Sequence, residues 1–345
     1  MNKRLLMARH FNFAYSCRSE FNEFIFLLDE KAKIPSVYLE KIKSKLNIHF
    51  SNFSFASKSD IEVLDNDLVL DFDSFDELKL SKGKLCHSYQ NRLFDDLPFT
   101  CPDGFSSFRK KAEKVLPKYF NDVISPFDEE TITFLDNYFS SLHPKSYFDT
   151  RNKMIGEFYS SRFSDLLSWG FVDVRYLYNR IKDYEEEFGS NKSTYWLVFE
   201  LLWREFFYWH YQKHETLFFS ENGIQGVEDF SEVNVFLMDE LYKIESPLFF
   251  KCALKELETT GFLSNRARQI FASIWLNDLN LPWRSGAKLF EEHLIDYDVY
   301  SNYGNWMYLA GVGVDPRGKR YFNVEKQLDI YDKNGEYIKY WSAKL

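Results

Sequence analysis

A chain of 345 residues, 45% of them hydrophobic, is long enough to bury a substantial core and to divide into a small and a larger domain, which excludes a disordered product. With 43 Lys and Arg against 52 Asp and Glu the net charge is -9, so the molecule as a whole does not attract phosphate backbones, although a local basic cluster still would. Cys17, Cys86, Cys101 and Cys252 have neither paired metal-site spacing nor the density of a disulfide scaffold, and the chain shows no signal-peptide core and no membrane-span pattern; a cytoplasmic protein with no metal site and no membrane association is expected.

In chain order, Phe24–Leu28 and Leu68–Phe72 read as short strands, and between them Ser36 is placed to cap a helix whose Tyr38, Ile42 and Leu46 share one face. Lys41, Lys43 and Lys45 in that segment read as solvated side chains. A loop marked by Asp95, Asp96, Pro98, Pro102 and Gly104 precedes a helix start at Phe105, with Ser106 or Ser107 near the cap. The expected division is a reduced α/β domain and connector over 1–104 and a helical domain over 105–345. From about residue 120 helical periodicity dominates, broken by polar loops at 190–193 and 223–226, with no fixed-period repeat. The fold class is therefore α+β, mainly helical, with a small α/β part in front.

Several polar and aromatic blocks stand out. Tyr159-Ser160-Ser161-Arg162-Phe163-Ser164 gathers hydroxyls, backbone donors and a guanidinium able to satisfy phosphate oxygens, or simply to cap a helix. Tyr147 precedes Thr150-Arg151-Asn152. The run 199–207, Phe-Glu-Leu-Leu-Trp-Arg-Glu-Phe-Phe, sets Glu200 and Trp203 among apolar residues, where a salt bridge and a core aromatic are the ordinary readings. Further on come Thr260-Gly261-Phe262-Leu263-Ser264-Asn265-Arg266-Ala267-Arg268, then Asp296-Tyr297-Asp298, then Asn302-Tyr303-Gly304-Asn305-Trp306. Singly, each suits a helix surface, a turn or a cap.

Together and in this order, these blocks resemble the flavin pocket of photolyases and cryptochromes, especially the branch called cryptochrome-DASH. The resemblance implies FAD as cofactor. Ser160, Ser161, Arg162 and Ser164 would grip its phosphates, with Tyr147, Arg268, Asp296, Asp298 and Asn302 as further contacts and Asn302 beside the flavin ring nitrogen protonated on reduction. It implies that Glu200 and Trp203 face a flipped pyrimidine dimer, through hydrogen bonding and stacking respectively, with Asn265 near the flavin and lesion side. Trp306 and Trp283 match the proximal and middle members of the family's tryptophan electron chain. The third position falls at Phe230, which cannot relay in the same way, leaving Tyr242, Trp209 or another surface aromatic as an exit.

The resemblance runs from about Phe105 to the C-terminus. Before that, the chain is shorter than the usual antenna-binding domain, so an antenna chromophore is not expected. Glu245-Ser246-Pro247-Leu248 replaces the family's glycine-tyrosine-proline region, and with the acidic balance this weakens DNA repair more than flavin binding. The implied activity is light-driven repair of cyclobutane pyrimidine dimers by a photolyase-like lyase on damaged DNA, single-stranded DNA included. The alternatives are a cryptochrome-like blue-light photoreceptor with a signalling protein as partner, and another flavin-dependent enzyme.

Overall fold

The structure, a computed structural model, describes residues 4–7, 19, 23–28, 33–50, 52–57, 68–70, 91–156, 159–314 and 318–345; Cys17, Asp71, Phe72 and Cys86 lie outside them. Four short strands come first: β1 (Arg4–Met7), β2 (Glu23–Leu28), β3 (Phe53–Ser57) and β4 (Leu68–Leu70), with α1 (Ser36–His49) between β2 and β3. They form one sheet in the order β3-β2-β1-β4 with every pairing parallel. Parallel neighbours require a crossover, and α1 supplies it between β2 and β3.

The spacing of four places Ile42 and Leu46 on the buried face of α1, against Phe24 and Phe26 of β2. Two local expectations fail here. Pro35, not Ser36, occupies the N-cap position, and Ser36 is the first helical residue, because proline holds the extended entry (φ -53, ψ 132) that a helix start needs. Lys45 is not a solvated side chain: it is 13% exposed and bonded at 2.8 Å to Asp128, whose charge compensates its burial. Lys41 pairs with Glu130, and Lys43 with Glu40 at 2.9 Å.

The rest is helical: α2 (Phe105–Val115), α3 (Glu129–Ser140), α4 (His143–Thr150), α5 (Phe163–Trp169), α6 (Val174–Phe188) and α7 (Lys192–His214). After α7 come α8 (Met238–Lys243), α9 (Leu248–Thr260), α10 (Asn265–Ser273), α11 (Trp283–His293), α12 (Val299–Ala310), α13 (Val324–Tyr331) and α14 (Glu336–Ser342). The α+β class expected from the sequence is the observed one. Gly104, rather than Ser106 or Ser107, stands at the N-cap of α2, with no side-chain cap bond.

The helix α7 organises the core. Its start is fixed by a capping box, in which Asn191 accepts from the Ser193 and Thr194 amides and Thr194 accepts from the Asn191 amide. Its apolar residues bury on several sides, as a central helix must. The helix α12 comes so close that a Cβ on Gly304 would stand 2.6 Å from Cγ of Phe207, so only glycine fits there. Trp169 at the end of α5 joins the sheet to this body: its ring lies 6.3 Å from that of Phe26, and its Nε1 donates to the Ile295 carbonyl at 2.6 Å.

Candidate functional site

Between α7 and the α10–α12 segment lies a cavity of about 260 Å³. Of the residues singled out from the sequence, Tyr147, Ser160, Ser161, Ser164, Glu200, Trp203, Asn265, Arg268, Asp296 and Asp298 line it. A neighbouring cavity of about 110 Å³ shares Asn265, Arg268, Asp296 and Asp298 with it and adds Asn302 and Trp306. Segments far apart in sequence thus meet in one place.

The serine-rich block leads into α5, with Phe163 and Ser164 as the first two residues of the helix. Arg162 adopts a left-handed conformation (φ 56), its amide donates to Ser160 Oγ at 3.2 Å, and its Nη2 donates to Asp165 at 2.6 Å. Its guanidinium lies 3.7 Å from the centre of the Phe262 ring, and the residue lines a separate cavity of about 340 Å³ that also touches α1. Arg162 is therefore beside the serines but not on the wall they share. Burial raises the Asp165 carboxyl to about 6 against the pull of Arg162, with the charge of Asp296 adding to the rise.

The acidic pair is held by arginines. Arg268 Nη2 donates to both carboxylate oxygens of Asp296 at 2.8 Å, while its Nε donates to the Leu263 carbonyl at 2.9 Å. Asp298 caps α12 by accepting from the Ser301 amide at 2.8 Å, and it lies 3.5 Å from Arg204 and 3.6 Å from Arg92. Burial opposes its ionisation, but the two arginines and the Ser301 hydrogen bonds outweigh it and hold the carboxyl down to about 2. A full negative charge is thereby kept on the wall at neutral pH. Asn302 follows on the next turn, its Nδ2 donating to the Ala287 carbonyl at 2.9 Å.

On the α7 wall, Glu200 and Trp203 are three residues apart and so share a face. Glu200 accepts a hydrogen bond from Arg151, whose guanidinium lies 4.1 Å from the Trp196 ring centre. Burial raises the Glu200 carboxyl, with Arg151 opposing. One face of Trp203 is taken by Phe105, the rings 3.6 Å apart and 10° from parallel. Trp306 is buried against Trp275 at 6.2 Å and Phe290 at 5.2 Å. Trp283 lines neither cavity; its indole donates to the Glu221 carbonyl at 2.8 Å and its ring meets Tyr303 at 6.1 Å.

Several residues of this site escape a sequence reading. Arg92 reaches Asp298 from another segment with no period or spacing to mark it, and Arg151, although its block stands out in the sequence, carries no signal that it pairs with Glu200. Ser301 and Asn305 line both cavities; Asn305, three residues beyond Asn302, is recoverable from helical spacing alone. The donor set suits FAD: serine hydroxyls match phosphate oxygens, carboxylates accept from ribityl and ring donors, and an amide sits among the aromatics. Among the described residues no group of His, Cys, Asp and Glu could hold a metal, and no helix is long and apolar enough to cross a membrane.

The helical fold and this donor set define a flavoprotein. Residues 251–345 match the family model described as the FAD binding domain of DNA photolyase. The chain is 40% identical over 293 residues to cryptochrome DASH of Idiomarina loihiensis, covering 74% of this chain and 64% of that one. It is 39% identical over 290 residues to cryptochrome DASH of Vibrio parahaemolyticus, covering 75% and 65%. The crystal structure of the Synechocystis cryptochrome superposes with a TM-score of 0.79 at 28% identity, over 99% of this chain and 88% of that one. The chain belongs to the photolyase/cryptochrome family, and its cofactor is FAD. The matches span just under two thirds of the length of the two curated relatives.

Proposed function

We propose that the chain is a light-driven, FAD-dependent lyase that splits cyclobutane pyrimidine dimers in DNA, acting in the cytoplasm. The observation that carries this reading is that Glu200 and Trp203 line the same cavity as Asn265, Arg268, Asp296 and Asp298, so lesion contacts and flavin contacts would share one chamber. Reduced FAD supplies a photoexcited electron when bound. Ser160, Ser161 and Ser164 hold the phosphates, while Arg162, which lines the neighbouring cavity, shapes their turn through the hydrogen bond from its amide to Ser160; Asp296, Asp298 and Arg268 fix the sugar chain and ring; Asn302 presents its amide to the ring. Trp203, packed between Phe105 and Phe207, meets the flipped dimer with the part of its ring that lines the cavity, and Glu200 hydrogen-bonds the pyrimidine edge. Trp306 and Trp283 refill the cofactor with electrons.

A second reading is a blue-light photoreceptor without repair, coupled to a signalling protein. It is favoured by the engagement of both lesion-facing groups, Glu200 with Arg151 and Trp203 with Phe105. The deciding experiment is light-dependent repair of a defined cyclobutane dimer in single-stranded and duplex DNA by the reduced, flavin-loaded protein, with a dark control. Repair in either substrate is expected. Bound, reduced FAD without repair transfers the assignment to photoreception.

A further inference from the structure

The family resemblance puts Phe230 at the third position of the electron route, which leaves Trp283 without a third tryptophan. What the fold does place against Trp283 is Tyr303, ring centres 6.1 Å apart and nearly perpendicular at 84°. Both side chains are buried. Tyr303 is on α12 one turn before Trp306, and Trp283 opens α11, where Gly286 one turn later lies against the Trp306 ring.

Tyr303 also has what a tyrosine needs in order to give up an electron, a base for its phenolic proton. Its hydroxyl donates to Oε2 of Glu291 at 3.1 Å, and Glu291 is itself buried on α11. The same oxygen accepts from Tyr297 at 3.2 Å, and Lys288 donates to the other at 2.7 Å. Oxidising a phenol makes it a strong acid, so an adjacent carboxylate favours the oxidised, deprotonated form. Trp283 lacks this outlet at its indole nitrogen, which donates to the Glu221 carbonyl, a far weaker base than a carboxylate.

We propose that Tyr303, with Glu291 as its proton acceptor, is the terminal electron donor that replaces the missing third tryptophan. The inference rests on the photochemical reading above. When a light-driven hole has reached Trp283 by way of Trp306, one electron passes from the Tyr303 ring to the Trp283 radical cation. The Tyr303 O–H bond breaks and the proton goes to Glu291 Oε2. Trp283 returns to its neutral form with its N–H still bonded to Glu221, and the hole rests as a neutral tyrosyl radical. An added thiol reduces that radical, and Glu291 returns the proton. Burial of Tyr303 slows its access to the thiol, so the radical is long-lived.

The test uses the protein loaded with oxidised FAD, excited by a blue flash, with amino-acid radicals followed by transient absorption and electron paramagnetic resonance. Trp283 and Tyr303 radicals are distinguished by their band shapes and hyperfine patterns. Wild type is expected to show a tryptophanyl signal giving way to a tyrosyl signal, more slowly in D2O. Tyr303→Phe should abolish the tyrosyl signal and lengthen the tryptophanyl one; Glu291→Gln should suppress the conversion while Tyr303 remains present. Near-ultraviolet circular dichroism and flavin content check that each variant is folded. Tryptophanyl radicals alone in wild type, or a tyrosyl signal that survives Tyr303→Phe, overturn the proposal while leaving the photochemical reading intact. Absence of any amino-acid radical in flavin-loaded wild type overturns both.

Discussion

Arg268 reaches Asp296 with a single Nη2 placed 2.8 Å from each carboxylate oxygen, and the Asp296 side chain is only 1% exposed. Removing the cation would strand a buried negative charge, which costs on the order of 3–5 kcal/mol. Arg268→Ala should therefore lower stability by about that much and reduce bound FAD, because the carboxylate loses the group that holds it on the cavity wall. Denaturant unfolding and flavin stoichiometry measure the two effects. Unchanged values for both would show that Asp296 is satisfied from elsewhere.

Gly286 bears on the electron path through space alone. A Cβ there would stand 2.6 Å from Cζ3 of Trp306, in a core already filled by Trp275 and Phe290. Gly286→Ala should displace the Trp306 indole, costing about 1–3 kcal/mol as overpacking, and slow flavin photoreduction. Trp306→Phe provides the reference for a lost proximal donor. Photoreduction as fast as wild type in Gly286→Ala would mean that Trp306 is not the first donor or that its shift is harmless.

Glu256 couples stability to pH. Tyr337 donates to its Oε2 at 2.6 Å, fastening α14 to α9. Burial pushes the carboxyl up from 4.5 to about 7, with the Tyr337 bond, Arg268 and Arg162 acting the other way. Because the folded value lies above the unfolded one, the stabilisation is complete below about pH 4.5 and is lost as pH rises through about 7. The loss is on the order of 3 kcal/mol. Glu256→Gln should flatten this part of the stability profile. A wild-type profile that does not fall between those pH values would place the ionised carboxylate in the folded protein.

Trp203→Ala removes the proposed stacking surface for a flipped base. Base stacking on an aromatic contributes about 1–3 kcal/mol, so affinity for dimer-containing DNA should fall about tenfold, with a smaller effect on undamaged DNA. Phe105 loses its partner in the same variant, so stability is measured alongside binding. Equal weakening for damaged and undamaged DNA would remove Trp203 from lesion recognition.

The α+β class, the long helices and the ordered polar blocks were legible in the chain because their signals are local: a spacing of four on α1, the apolar run of α7, and motifs that keep their order whatever the loops between them do. Cap positions are less legible, since Pro35 and Gly104 take the place of serines that stand one to three residues away. The sequence by itself determined the family and the residue types available to a flavin. Only the tertiary structure decided which of them meet: that Arg92 and Arg204 from different segments flank Asp298, that Phe105 covers one face of Trp203, that Arg162 lines another cavity, and that Trp283 faces Tyr303. These contacts depend on how helices distant in the chain cross and pack, and neither a helical period nor a motif spacing carries that information.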